Sequence, residues 1–517
     1  MAPDYHELTA LDAADAMRAG RMTPGDYIGG LIARIEAREP DIQAWQHFDP
    51  KQAFAQTASL GGRAGLANLP LAGTAAGIKD IIDTADMPSE NGTVLDKGRQ
   101  PSADAAVVRL LREAGVIIMG KTVTTELAFM HPSKTRNPHN VEHTPGGSSS
   151  GSAAAVAAGM VPIALGTQTN GSVVRPASFC GIYGFKPTFG LVPREGVLEE
   201  SGSLDTVGVF ARSLTDIAAV TQVLATGLEP TATTKTDDQK TTAPKTSHIP
   251  ALDLLDAAVK RLIKAAKSRG YVTYDELNEV LPPDGVSPGQ IEDIMAMFSD
   301  LGVNVVDAGQ VPAPNYIRAA RDSVSERRFA FVRTPAWRFA EEGAKAAIET
   351  FAEGLGASCE RLDLPPEFDR AIAMHRTVML AEIALNFGHY YDRGKDRLST
   401  AMREAIEAGR GLLAVHYAEA LRERERLYER FENLLRPYDS VITLPAAGPA
   451  PRGHDTTGNP AFCTIWTYLG VPALNLPLLT VEGLPLGVQL IGPRLGEAKL
   501  FQAAAALLSR AASLPKR

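Results

Sequence analysis

Apolar residues recur every three or four positions from Leu8 to Arg18 and again from Tyr27 to Arg38, the repeat that gathers them on one face of a helix. Thr23-Pro24 supplies a cap and a first-turn residue for the second helix. The pattern then changes. Short apolar runs at Leu71 to Asp83, Val116 to Met119 and Val161 to Leu165 alternate with helical stretches at Ala103 to Ala114 and Ser152 to Ala158. Gly120-Lys-Thr reads as a turn into a further helix through Phe129. Alternation of this kind predicts an α/β fold with a largely buried sheet. A helix ends near Leu224, and later come strands at Arg328 to Val332 and Glu360 to Leu364, with a helix from Gly343 to Leu355 between them. Two long helices, Glu367 to Tyr391 and Leu398 to Arg436, precede the terminal strands, and the second carries Arg and Glu at helical spacing, a solvated face with ion pairs. No internal repeat is visible.

Two features interrupt this regular pattern. Lys79 stands among apolar and glycine neighbours. Such a lysine either reaches out to water or an acid, with Asp80 and Asp83 at hand, or stays buried with a lowered pKa and serves as a base. The second feature is the stretch from Thr144 to Arg175. Gly146-Gly-Ser-Ser-Ser-Gly151 leads into an almost all-alanine helix, and a strand then ends in Gly166-Thr-Gln-Thr-Asn-Gly-Ser172, a tight loop whose successive N–H groups suit an anion. The plain alternative is that these serines cap helices and the glycines make turns. Gly147 to Gly151 also fits a G-x-S-x-G elbow with Ser149 as nucleophile, but that elbow needs an apolar strand before it and Glu142 to Gly146 is not one. Gly120-Lys121-Thr122 lacks the upstream glycine of a phosphate loop.

Composition narrows the class. With 517 residues, 44% of them hydrophobic, the chain can bury a large core. A net charge of −8 argues against nucleic acid and against anionic membranes as partners. Cys180, Cys359 and Cys463 are odd in number and far apart, which suits neither a disulfide framework nor a metal site, so a reducing cytoplasm is expected. The first residues carry acids where a signal peptide carries bases, and no apolar run reaches the ~18 residues of a spanning helix.

The run from Leu71 to Gly190, with GIKD around Lys79, GGSSSGSAAAVAAG around Ser148, GTQTNGSV around Ser172 and GFKPTFG from Gly184, closely resembles the amidase signature family. Val441 to Pro445, Asn459 to Thr464, Gly470 to Pro477 and Gly483 to Gly492 resemble that family's C-terminal part. The resemblance implies the amidase signature fold, a central mixed twisted β-sheet covered by helices on both faces. It also implies a triad in which Ser172 is the nucleophile, Ser148 a serine in cis conformation and Lys79 the base, with no metal or organic cofactor. The oxyanion would meet backbone N–H groups among Thr169, Asn170, Gly171 and Ser172. Phe129, Met130, Phe179, Tyr183 and Trp466 are candidates to line the acyl pocket, against the alternative that they are plain core.

Three positions depart from the family pattern. Gln168 stands where many members have Asp, Val174 where they have Arg, and Asn170 where glycine is common. An acid and a base that would pair are thus both missing, and Arg175 is not a self-evident substitute. Asn tolerates left-handed backbone well enough for the loop to survive.

A second resemblance lies inside the first. Residues 230–250, rich in Thr, Lys, Asp and Pro, read as a flexible linker. Residues 251–307 then read as a small helical domain, with an amphipathic helix stopping at Gly270, a capping box of Thr273 with Glu276, and a third helix opened by Ser287-Pro288. RGYVTYDELNEVLP from Arg269 and QIEDIMAMFSDLGVNVVD from Gln290 resemble region 1.1 of primary bacterial sigma factors. The expected organisation is an amidase domain over 1–229 and 308–517 with this unit inserted. An insert without transcriptional role is favoured over one that contacts RNA polymerase.

The expected function is hydrolysis of a carboxamide C–N bond through an acyl-enzyme on Ser172. Small-molecule amides are the first substrate class, with esters and carbamates (urethanes) as further ones, and a homodimer is left open. The alternatives are the glutaminase subunit of a tRNA-dependent amidotransferase and a non-catalytic scaffold presenting the acidic insert.

Overall fold

The computed structural model describes residues 4–60, 65–225, 271–273, 304–306, 315–322 and 326–513. It separates into two units, one formed by Met1–Gly227 with Asn315–Arg517 and the other by Leu228–Pro314. The expected linker and the three expected helices of the insert lie outside the described residues.

The larger unit is built on one mixed sheet of eleven strands. Its strands are β1 (Trp45–Phe48), β2 (Ala75–Lys79), β3 (Ile117–Thr122), β4 (Ile163–Gln168), β5 (Tyr183–Lys186) and β6 (Thr206–Ala211) from the first part of the chain. In the smaller unit, β7 (Tyr271–Thr273) pairs in parallel with β8 (Asn304–Val306). The larger sheet continues with β9 (Phe329–Arg333), β10 (Cys359–Asp363), β11 (Ser440–Thr443), β12 (Ala473–Val481) and β13 (Leu484–Ile491). The order across the sheet is β1-β3-β2-β4-β6-β5-β12-β13-β11-β9-β10. β3, β2 and β4 run parallel side by side, so their C-terminal ends share one edge, the place where open α/β sheets present ligand sites.

Helices cover both faces. Ala106–Glu113, Leu214–Ala225, Glu342–Gly354 and Glu497–Ala511 enclose one apolar core with the sheet. Ala10–Arg18, Pro24–Ile42 and the small-residue helix Ser150–Ala157 enclose a second. Ala371–Gly394, Thr400–Arg410, Ala414–Leu435 and Ala461–Tyr468 form a third around Trp466 and Phe431. Thr23 and Asp26 make the reciprocal capping box that starts Pro24–Ile42.

Three expected elements differ from those found. Gly120, Lys121 and Thr122 lie in β3 rather than in a turn, and the helix expected through Phe129 is a single 3₁₀ turn, Glu126–Ala128. Glycine is needed in that strand because a Cβ at position 120 would sit 2.4 Å from the His47 carbonyl oxygen. The long helix expected from Leu398 to Arg436 is two, Thr400–Arg410 and Ala414–Leu435. Gly411 caps the first of them, and Gly409 lets it approach the Leu380 backbone so closely that a Cβ would lie 2.0 Å from that carbonyl oxygen.

Candidate active site

β2 ends on Lys79, and the parallel pairing of Ile78 with Leu165 sets that lysine beside the end of β4. Its side chain is fully buried. Neither neighbouring acid takes it: Asp83 pairs with Arg99, and Asp80 lies 3.7 Å from Lys121. Instead Lys79 Nζ is 2.8 Å from Ser148 Oγ and 2.8 Å from Thr167 Oγ1. Burial lowers its pKa from the ordinary lysine value to about 7, against the opposing pull of whatever negative charge Glu200 and Asp205 carry.

Ser148 is presented by the glycine loop before the alanine helix. Gly146 holds φ at +84°, a backbone that glycine adopts without strain, and the Gly147-Ser148 peptide bond is cis. A Cβ on Gly151 would lie 2.3 Å from both the Ala44 carbonyl oxygen and the Val123 nitrogen, so the small-residue helix seats itself against backbone. Thr125 N–H donates to the Ser148 carbonyl at 3.2 Å, and its hydroxyl donates to the Phe129 carbonyl at 2.6 Å. Ser149 is fully buried with its oxygen between the backbone N–H and C=O of Thr167, and no strand precedes it, so it has neither the access nor the setting of an elbow nucleophile.

Ser172 follows the end of β4 and retains 9% exposure. No hydrogen bond joins it to Ser148 among the described residues. The N–H groups of Thr169, Asn170, Gly171 and Ser172 likewise donate to no acceptor among the described residues. The helix that follows, Val174–Phe179, is held by Gln168, whose Oε1 accepts from Val173 N–H at 2.8 Å and Val174 N–H at 3.0 Å. A neutral amide thus satisfies the start of that helix, and its other end donates to Thr467 Oγ1 at 2.9 Å.

Asn170 differs from expectation. Its φ is not positive, so no left-handed backbone needs tolerating. Its Oδ1 accepts from the Thr464 hydroxyl, and its carbonyl from the Thr467 hydroxyl, each at 2.6 Å. Arg175 is buried and donates to the Gly147 carbonyl at 2.7 Å and to Thr457 Oγ1 at 3.3 Å, which ties the helix after Ser172 to the peptide before Ser148.

Of the five expected lining residues, Phe129 packs against the apolar cluster that holds Trp466, while Phe179 and Tyr183 belong to other clusters. Phe129 and Met130 are half-buried in the loop that also carries Thr125. Trp466 is fully buried and packs on Phe431, with ring centroids 5.4 Å apart. Phe179 is buried with Ala446 and Ala450, and Tyr183 lies against the large core on β5. Phe179 and Trp466 are therefore core side chains rather than the wall of an open pocket.

An acid pair beside the lysine went unread in the sequence. Thr169 Oγ1 lies 2.8 Å from Glu200 Oε2 and 2.6 Å from Asp205 Oδ1, and all three side chains are buried. Asp205 Oδ2 accepts the N–H groups of Glu200 and Ser201 at 2.8 and 2.9 Å. His375 Nε2 is 2.8 Å from the Thr169 carbonyl oxygen, and burial lowers its pKa to about 4. In the sequence they sit in the polar approach to β6, Glu199-Glu-Ser-Gly-Ser-Leu-Asp205, and nothing in that stretch singles them out.

Known proteins are similar to this chain in sequence and in fold. Residues 26–251 match the Amidase family, and residues 253–326 match Sigma-70 factor, region 1.1. A glutamyl-tRNA(Gln) amidotransferase subunit from Chloroflexus aggregans is 31% identical over 524 aligned residues, which cover 96% of this chain and 95% of that protein. The corresponding subunit from Symbiobacterium thermophilum is also 31% identical, with 94% and 93% covered. A crystal structure of an amidase superposes with a TM-score of 0.73 at 25% identity, covering 98% of this chain and 100% of that one.

Proposed function

This chain belongs to the amidase family, and from that premise we propose that it cleaves a carboxamide C–N bond through an acyl-enzyme on Ser172. The observation that carries the reading is Lys79, buried and bonded to two hydroxyls with no carboxylate in contact. A neutral amine in that setting accepts the proton of Ser148, and Ser148 accepts that of Ser172 as Ser172 Oγ attacks the carbonyl carbon. The N–H groups of residues 169–172 meet the developing oxyanion. The proton returns along the same path to the leaving nitrogen, the C–N bond breaks, and an ester on Ser172 remains. Water then attacks that ester and gives its proton to the relay, which passes it to Ser172 Oγ as the acid is released. In this scheme the Ser148–Ser172 hydrogen bond forms as substrate binds, as catalytic hydrogen bonds often do. Phe129 and Met130 flank the acyl group in this scheme. Esters and carbamates offer the same carbonyl to the same attack.

The curated relatives carry a second reading. Their shared name is that of one component of an amidotransferase, and the same acyl-enzyme, formed on glutamine, would release ammonia for a partner to consume. Incubation with glutamine, other primary and secondary amides, esters and carbamates, followed by mass spectrometry of the Ser172 peptide, tests both. An acyl adduct lost in Ser172→Ala supports the chemistry, and its absence with every substrate overturns it. Ammonia release from glutamine that rises when partner subunits are added favours the second reading. The boundaries belong to the proposal too: deletion of 230–307 is expected to leave amide hydrolysis intact.

A further inference from the structure

Glu200 and Asp205 share a single hydroxyl. Thr169 Oγ1 is within hydrogen-bond distance of both carboxyls, yet it has one proton and can donate to only one of them. The other contact is favourable only if that carboxyl keeps a proton of its own and donates to the threonine oxygen. Two bare carboxylates at this separation, out of water, would repel each other and leave one of the short contacts without a hydrogen.

The donors around the pair decide which acid is neutral. Asp205 receives two backbone N–H groups on Oδ2, and with the Thr169 hydroxyl on Oδ1 it has the donor set of an ionised carboxylate. The Glu200 carboxyl has Thr169 as its sole hydrogen-bond partner among the described residues. We infer that Glu200 is the protonated member and Asp205 the ionised one, so that the chain Glu200→Thr169→Asp205 holds Lys79 under one fixed negative charge rather than two or none. Asp205 is then a positioning residue for the proposed base, and this deepens the reading of Lys79 as proton acceptor, on which it rests.

The surroundings agree. A small cavity walled by Thr167, Thr169, Glu200, Asp205 and Arg194 lies next to the hydroxyl that Lys79 contacts. Burial and the neighbouring Asp205 raise the Glu200 carboxyl well above its ordinary range; burial raises Asp205 too, but the hydrogen bonds from Thr169, Ser201 and Glu200 oppose it and hold it to about 6. Of the other groups facing the cluster, Arg194 donates to the Gly202 carbonyl at 2.9 Å, and His375 of helix Ala371–Gly394 is neutral above about pH 4. Glu382 of that helix is taken by Ser201, Ser203 and Tyr417.

The experiment uses the full chain and two readouts. The rate of Ser172 sulfonylation by phenylmethanesulfonyl fluoride is followed against pH, and the infrared C=O stretch of protonated carboxyls is recorded at pH 8. Asp205→Asn removes the negative charge that favours the Lys79 ammonium, so the acid limb of the rate moves to lower pH by about one unit. Glu200→Gln replaces a neutral donor with a neutral donor, so the limb stays in place. The infrared band present in the wild type disappears in Glu200→Gln and persists in Asp205→Asn. A limb that moves for Glu200→Gln and not for Asp205→Asn overturns the assignment, as does a wild type with no protonated carboxyl at pH 8. If Asp205→Asn does not fold, the infrared comparison of wild type with Glu200→Gln still decides. Failure of Ser172 to react at any pH would instead count against the proposed relay and leave the infrared result standing.

Discussion

Lys79 and Lys121 sit at the ends of adjacent parallel strands, one register position apart, and both are fully buried. Burial lowers both, Lys79 to about 7 and Lys121 to about 8. Their partners differ. Lys121 donates to the Ile82 carbonyl at 2.6 Å and to the Ser89 hydroxyl, with Asp80 at 3.7 Å. Lys79 has two hydroxyls, and its acids stand behind Thr169. An ammonium facing a carboxylate and a carbonyl is locked in the charged, donating state. A lysine between two hydroxyls can lose its proton and keep both partners, because the neutral amine accepts from one hydroxyl while donating to the other. Low polarity makes either ammonium a stronger acid than in water; the hydrogen-bond partners determine which one can cycle.

The largest expected effect separates the two directly. Lys79→Ala is expected to lower kcat/KM by ~10⁴-fold, the upper range of general base catalysis, with little change in the denaturant midpoint. Ser172→Ala, which removes the nucleophile itself, is expected to do no better. Lys121→Met should show the reverse, since removing one partner of a buried ion pair costs about 3–5 kcal/mol of stability while the chemistry keeps its base. Adding Asp80→Asn to Lys121→Met should recover part of that loss. Steady-state kinetics beside urea unfolding would break the comparison if the two lysines exchanged phenotypes.

The proposed relay also fixes the direction of the pH profile. The neutral form of Lys79 grows as pH rises through about 7, so kcat/KM climbs through neutrality and levels above it. A rate that falls over the same interval would mean that the protonated lysine is the active form.

How far this site is legible beforehand differs residue by residue. Lys79, Ser148 and Ser172 can be read because glycine and serine at fixed spacing leave few uses for a loop, and the resemblance assigns their roles. The α/β class follows from alternating short apolar runs. Glu200 and Asp205 stay hidden, because their partner Thr169 is 31 and 36 residues away and meets them only when the segment before β6 folds across the end of β4. Gly120-Lys-Thr misleads because that tripeptide favours turns in isolation, whereas the approach of the His47 carbonyl requires glycine in the strand. The absent Asp and Arg of the nucleophile loop look like a loss. In the fold, Gln168 caps the helix after Ser172 with a neutral oxygen, so a carboxylate is not required there.

The smallest expected effect tests the hydroxyl environment itself. Thr167 Oγ1 is the second partner of Lys79, 2.8 Å from Nζ, on a buried stretch of β4. Thr167→Val keeps the branched shape that a strand accepts and removes only the oxygen. The N–H that the neutral amine gives to Thr167 then loses its acceptor in a dry site, a cost of about 1–3 kcal/mol, and the lone pair that should face Ser148 is no longer held toward it. The expected result is a kcat about tenfold lower, within that energy range, at unchanged KM, with Thr167→Ser restoring most of the rate. Since Lys121 bonds to Ile82, Ser89 and Asp80 and not to Thr167 among the described residues, its pairing with Asp80 and the stability it brings should be untouched. Equal rates in the valine and serine variants would mean that Lys79 is oriented by burial alone, and the contrast between the two lysines would reduce to the presence or absence of a carboxylate.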